Sequence, residues 1–224
     1  MTRFLPKILA SSDDPDSLGA KFRKKRLAFF ESLFFRNFDP AEPTRILDVG
    51  GTSYFWEASQ LINYPNIQIT LLNLHEEQSE IPTIHGKTGD ATAMPEFGAK
   101  EFDLVFSNSV IEHLYTWENQ QKMAEEIQRI GKRYYVQTPN RFFPIEAHYA
   151  LPFAQYWPKG LLYQTLTKTP LSRFRKWEPQ AAHQYLEEIR LLDESEMKRL
   201  FPEGKVYREK FLGMTKSITL HNLL

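Results

Sequence analysis

The stretch Arg45-Ile46-Leu47-Asp48-Val49-Gly50-Gly51-Thr52 decides how the chain is read. Arg45 to Val49 is a short apolar run of strand length, and it contains an acid just before two glycines. A strand that ends in an acid and glycines and then opens a helix is the turn on which nucleotides bind, because a residue without a side chain lets the backbone come close to a ligand. The same turn also serves as a plain strand-to-helix connection. Its neighbours separate the two readings.

Working outward, strands and helices alternate. Phe55 to Asn63 reads as a helix, Ile67 to Leu72 as a second strand, Thr83 to Lys87 as a third and Phe102 to Phe106 as a fourth. Glu118 to Ile130 has Met123, Ile127 and Ile130 on one helical face, with Gly131 placed to cap its end. Tyr134 to Val136 is a fifth strand, stopped by Pro139. A helix runs from about Leu191 to Phe201 with an Asp or Ser cap, and Lys205 to Lys210 and Ser217 to Leu220 form a final antiparallel pair linked through Gly213. Such alternation predicts a mostly parallel sheet with helices on both faces, and ligands in the crevice at the carboxyl ends of the strands.

The residues just after each strand are therefore the candidates. Asn73 stands some twenty residues beyond the first strand, where nucleotide-binding folds place the side chain that bonds ribose hydroxyls, and Glu76 and Glu77 follow closely. Asp90, in Gly89-Asp90-Ala91-Thr92-Ala93-Met94-Pro95, can accept from an adenine amino group while Ala91 offers a backbone amide. The fourth strand exits through Ser107-Asn108-Ser109-Val110-Ile111-Glu112-His113-Leu114.

In this order and spacing the four segments resemble the class I S-adenosylmethionine-dependent methyltransferases, over about residues 44–140 and more loosely to 224. The resemblance implies an α/β Rossmann-like methyltransferase fold, with a mostly parallel seven-stranded sheet, an antiparallel last strand and helices on both faces. It implies S-adenosyl-L-methionine as cofactor, with Asp48, Gly50, Gly51 and Thr52 in the cofactor loop, Asn73 and Leu74 at the ribose, Asp90 and Ala91 at the adenine, and Ser107 and Asn108 toward the methionine part. It implies transfer of a methyl group to an acceptor, read as a small molecule such as a metabolite, sugar or lipid precursor. The chain departs from the family's Asp-x-Gly-x-Gly-x-Gly loop at Thr52 and Tyr54, and from its ribose-binding acid at Asn73. These departures motivate a second reading, a non-catalytic methyltransferase-like binding module that has lost its cofactor. A dinucleotide-dependent oxidoreductase is disfavoured, because Gly50-Gly51 does not extend to G-x-G-x-x-G.

Composition narrows the class. The chain has 224 residues, with 28 Lys and Arg against 28 Asp and Glu. Formal neutrality leaves no global field to draw in nucleic acid, so none is expected as a partner. With no cysteine, neither a disulfide, a Cys-based zinc site nor a Cys nucleophile is possible. No apolar run approaches the roughly 20 residues of a membrane span, and no secretory leader is visible, so a cytoplasmic location is the default expectation. The oligomeric state is not legible. Residues 1–43 read as a polar tail followed by an amphipathic helix over Leu18 to Phe35, with Lys21, Arg23, Lys24, Lys25 and Arg26 on its polar face. That face is expected to be solvated, with contact to a membrane surface as the sharper alternative. Residues 44–224 form the binding domain.

An oxygen acceptor calls for a base near neutral pKa, which suits histidine. His113, just beyond the fourth strand, and His148, after the fifth with Glu146 as partner, are the catalytic candidates, and no metal is required. Glu146-x-His148 alone is a weak metal pair. The insertion at about 141–190, rich in proline and aromatics, is read as a substrate cover. Phe142, Phe143, Tyr149, Phe153, Tyr156 and Trp157 are expected either to wall a substrate cavity or to form the insertion's own core. Arg141, Arg173 and Arg175 could bind a phosphate or carboxylate.

Overall fold

The first strand, β1 (Thr44–Val49), is buried at every position except Arg45, as expected of a strand in the middle of a sheet covered on both faces. The computed structural model describes residues 18–224; the polar stretch 1–17, read above as a tail, lies outside the described residues. β1 lies between β2 (Ile67–Asn73) and β4 (Phe102–Asn108), both parallel to it. β3 (Ile84–Thr88) and β5 (Gly131–Pro139) extend the sheet in parallel on either side. β9 (Met214–His221) then pairs antiparallel with β5, and β8 (Lys205–Phe211) pairs with β9. The seven strands run β3-β2-β1-β4-β5-β9-β8, the expected sheet with one antiparallel strand near its edge.

Side chains alternate between the two faces of a strand, and β1 divides the core accordingly. Leu47 and Val49 join Val105 and Val136 beneath α3 (Trp117–Ile130) and α6 (Glu194–Leu200), through Met123, Ile127 and Leu200. Ile46 faces the other way, with Phe106 and Tyr135, onto α1 (Leu18–Asn37). Phe30 of α1 is fully buried and meets Trp56, Phe106 and Tyr135 with ring centroids 5.9, 4.7 and 5.1 Å away. Of the basic face, Lys21, Lys24 and Lys25 are exposed, but Arg26 is not solvated and reaches Glu209 at 3.1 Å. No described helix is long and apolar enough to cross a membrane.

Three local expectations need correction. The helix expected over Phe55 to Asn63 is a single turn, α2 (Ser53–Trp56), followed by a 3-10 turn at Gln60–Asn63. Glu31 of α1 accepts from the Ser59 hydroxyl and the Gln60 amide, both at 2.7 Å, which draws that amide out of any helical ladder. Gly131 does cap α3, its amide donating to the Ile127 carbonyl, but not in the left-handed conformation expected of such a glycine. Its φ of −94° is extended, and it is already the first residue of β5. Glycine is needed there for space, since an added Cβ would lie 2.7 Å from Val105 Cγ2. Strand ends are also longer than the apolar runs, most of all in β5.

The insertion forms a two-stranded hairpin, β6 (Ile145–Glu146) with β7 (Leu151–Pro152), and two helices, α4 (Lys159–Lys168) and α5 (Pro179–Glu188). They enclose their own core of Tyr149, Leu151, Leu162, Leu166, Trp177 and Leu186. α6 begins with a capping box in which the Asp193 carboxylate accepts from the Ser195 and Glu196 amides and Glu196 reaches back to the Asp193 amide. Asp193→Ala should lower stability by about 1 kcal/mol, a fall in Tm of a few degrees in a thermal melt. An unchanged Tm would mean that the box contributes nothing.

Candidate active site

The carboxyl ends of β3, β2, β1 and β4 lie side by side, and the candidate residues follow them in that order. Asp48 is buried against α2, where its Oδ2 accepts from Trp56 Nε1 at 2.7 Å and its Oδ1 has no partner among the described residues. Burial pushes its pKa up to about 7, against a smaller lowering by the Trp56 bond. Gly50 follows with φ +75°, a backbone that favours glycine. A Cβ on Gly51 would fall 1.6 Å from Asp48 Oδ2, so no side chain fits there. Asn73 donates from Nδ2 to the Gly51 carbonyl at 2.7 Å, tying the ends of β1 and β2 together.

Asp48 gives the stability a pH dependence of defined sign. The folded state holds the proton up to about pH 7, whereas an unfolded chain releases it near 3.8. The contribution of Asp48 to stability is therefore greatest in acid and declines as pH rises through that window. Asp48→Asn should stabilise the protein at pH 8 by roughly 2 kcal/mol, a discounted share of the full shift at 1.36 kcal/mol per unit, and by almost nothing at pH 4. Thermal melts at the two pH values check this; an equal gain at both would contradict it.

The departures from the family loop are accommodated. Tyr54 is half exposed, with Arg23 of α1 5.3 Å from its ring centroid, so its side chain does not fill the loop. Thr52 is exposed and extended at the start of α2. Glu77 accepts weakly from Ser53 at 3.4 Å rather than replacing Asn73. Asp90 is exposed, with Oδ1 accepting from the Thr92 amide and hydroxyl, both at 2.8 Å. Ala91 packs partly on the core, and Leu74 is largely exposed. Ser107 is fully buried and donates to the Val49 carbonyl, so it fastens β4 to β1 rather than facing the crevice; Asn108 is half-buried and lines a cavity. The residue types suit the implied cofactor: a bare glycine turn, the Asn73 amide and the second oxygen of Asp90 stand at the adjacent carboxyl ends of β1, β2 and β3.

Beyond β4 and β5 opens a cavity of about 750 Å³. Asn108, Ser109, Glu112 and Gln137 form its floor, Phe22 and Arg26 of α1 one side, and the insertion another through Phe143, Glu146, His148 and Tyr185. Of the six aromatics singled out in the insertion, Phe143 alone lines the cavity. Tyr149 and Trp157 belong to the insertion's core, while Phe142, Phe153 and Tyr156 are exposed. Arg175 also lines it, and Arg173 fixes the hairpin by bonding the Ala147 and His148 carbonyls. Arg141 instead pairs with Asp193 at 2.7 Å. Lys216 shares Glu209 with Arg26, and burial, helped by that arginine, pushes its pKa down to about 8.

The two histidine candidates meet, with ring centroids 4.9 Å apart. His148 lines the cavity with its Nδ1 2.6 Å from the buried carboxylate of Glu146, whereas His113 lies behind it with Nδ1 on Glu188. Burial pushes the His148 pKa down, but Glu146 outweighs it and the net direction is up. Glu112, fully buried, accepts from Thr138 at 2.9 Å and has its pKa pushed up by burial. Sequence reasoning passed over Glu112 and Glu188. Glu112 was within reach as the neighbour of His113 in the same motif; the pairing with Glu188, 75 residues away, leaves no local mark.

Residues 47–134 match the family model described as a methyltransferase domain. No curated protein matches the chain. Among solved structures, one described as an O-methyltransferase from Nostoc punctiforme is 11% identical with a TM-score of 0.51, covering 91% of this chain and 56% of that one. The N-terminal domain of EvdMO1, solved with SAH and D-fucose, is 16% identical with a TM-score of 0.50, covering 90% and 82%. A protein described as a zinc-dependent alcohol dehydrogenase from Rhodobacter sphaeroides is 14% identical with a TM-score of 0.50, covering 82% and 85%. Likeness at such identities establishes the fold and not the activity.

Proposed function

We propose that this chain, a class I S-adenosylmethionine-dependent methyltransferase, methylates a small molecule held in the cavity beyond β4 and β5. The observation that carries the reading is the position of His148. Its ring stands on the wall of a cavity that Asn108, at the end of β4, also lines, and its Nδ1 is held by Glu146. The volume of about 750 Å³ suits a metabolite, sugar or lipid precursor.

S-adenosylmethionine, when bound, supplies an electrophilic methyl group on a sulfonium. The chain's residues align and shield. Gly50 and Gly51 admit the close approach, Asn73 and Asp90 offer oxygens to ribose hydroxyls and the adenine amino group, and Asn108 marks the boundary with the acceptor. The acceptor oxygen gives up its proton at the cluster of Glu112, His113 and His148. In the ion-free chain His148 takes it: Glu146 holds Nδ1–H and stabilises the imidazolium, which leaves Nε2 to accept. Walls from α1 and the insertion exclude water.

Calorimetric titration with S-adenosylmethionine and S-adenosylhomocysteine tests the reading. Saturable binding of both is expected. Absence of heat and of any thermal shift at millimolar ligand would overturn it.

A further inference from the structure

We infer that Glu112, His113 and His148 form a binding site for a borderline divalent cation of the zinc type, facing the acceptor cavity. A ligand atom from each of the three lies within 4.8 Å of the others. Two imidazoles and one carboxylate are a donor set suited to Zn²⁺ or Co²⁺ in a site that keeps an open position.

Two independent features point to an ion. Glu112 is fully buried, and while its Oε2 accepts from Thr138, its Oε1 has no partner among the described residues. A buried carboxylate oxygen with nothing to accept from is costly unless a cation satisfies it. Next, each histidine has its Nδ1 on a carboxylate, His113 on Glu188 and His148 on Glu146. That arrangement fixes ring orientation and tautomer and leaves both Nε2 lone pairs available, as in carboxylate–histidine–metal triads.

The inference rests on the reading of this cavity as the acceptor site. An acceptor hydroxyl in the open position would be acidified by the ion. His148 would then serve as a ligand, and the loss of the proton would no longer need a side-chain base.

The test uses the full chain, stripped with a chelator and titrated with Co²⁺, then with Zn²⁺ in competition. One equivalent of Co²⁺ should bind saturably, develop the visible absorption of a low-symmetry site and be displaced by Zn²⁺. Glu112→Gln and His148→Ala should each weaken binding by at least about 100-fold, and Glu146→Gln by about 10–100-fold through the lost orientation. Glu112→Gln keeps size and shape, so it reports even where His148→Ala fails to fold. No absorption band and no saturable heat in the unaltered chain would overturn the site, as would full affinity in both ligand variants. Titration of the stripped chain with S-adenosylmethionine separates the two ideas. Cofactor binding without ion binding removes the ion site alone, and ion binding without cofactor binding removes the methyltransferase reading alone.

Discussion

Gly51→Ala should eliminate measurable cofactor binding and lower Tm by roughly 10 °C. The new methyl would sit 1.6 Å from Asp48 Oδ2 and 2.1 Å from its Cγ, so one of the two must move. Asp48 cannot move freely, because it is buried beneath α2 and accepts from Trp56 Nε1. If it yields, the fully buried Trp56 loses its acceptor, at about 1–3 kcal/mol. If the loop yields, overpacking costs about 1–3 kcal/mol, and the Asn73 bond to the Gly51 carbonyl is strained as well. At about 2–4 °C per kcal/mol for a chain of this size, the upper end of either cost gives the stated shift. The affinity loss is larger in proportion, because the crevice is bordered by the backbone that moves. A thermal melt and a calorimetric titration check both parts. Affinity within a factor of three of the unaltered chain would mean that the bare turn does not shape the cofactor site.

His148→Ala should lower turnover by about 10²–10⁴-fold, the usual contribution of a positioned proton acceptor, while cofactor affinity stays unchanged. The loop after β1 and the hairpin that carries His148 belong to different segments, before β2 and after β5, so removing the ring is expected to leave the loop intact. Turnover is read as release of S-adenosylhomocysteine at saturating acceptor, and affinity by calorimetry. His113→Ala should have the smaller effect, since His113 stands behind His148 against Glu188 and does not line the cavity. Equal turnover in His148→Ala and the unaltered chain would remove His148 from the reaction.

The central sheet was legible because its strands are buried on both faces and read as apolar runs, β1 and β4 above all. The cofactor turn was legible because glycine and acid types stand at fixed offsets from those runs. What escaped is set by contacts distant in sequence. The helix at Phe55 to Asn63 fails because a glutamate 28 and 29 residues earlier takes the Ser59 hydroxyl and the Gln60 amide. Gly131 does cap α3, but what requires glycine there is the room needed by Val105 of the neighbouring β4. Both histidines were visible as candidates, but as alternatives; their meeting, and the carboxylates that hold them, depend on how the insertion folds back over β5. Six aromatics of one composition divide among cavity, core and surface, and nothing local separates Phe143 from Phe142.

Arg26 and Glu209 are 183 residues apart, and their ion pair closes one side of the acceptor cavity. The cofactor crevice, by contrast, is built from β1 to β4, each strand joined to the next by a short connection. Bringing distant segments together carries the larger loop-closure cost and comes late in folding. The two halves of the site therefore mature at different times: a chain whose C-terminal strand pair has not yet docked against α1 already has its cofactor turn and still lacks the chamber in which a methyl group could be delivered.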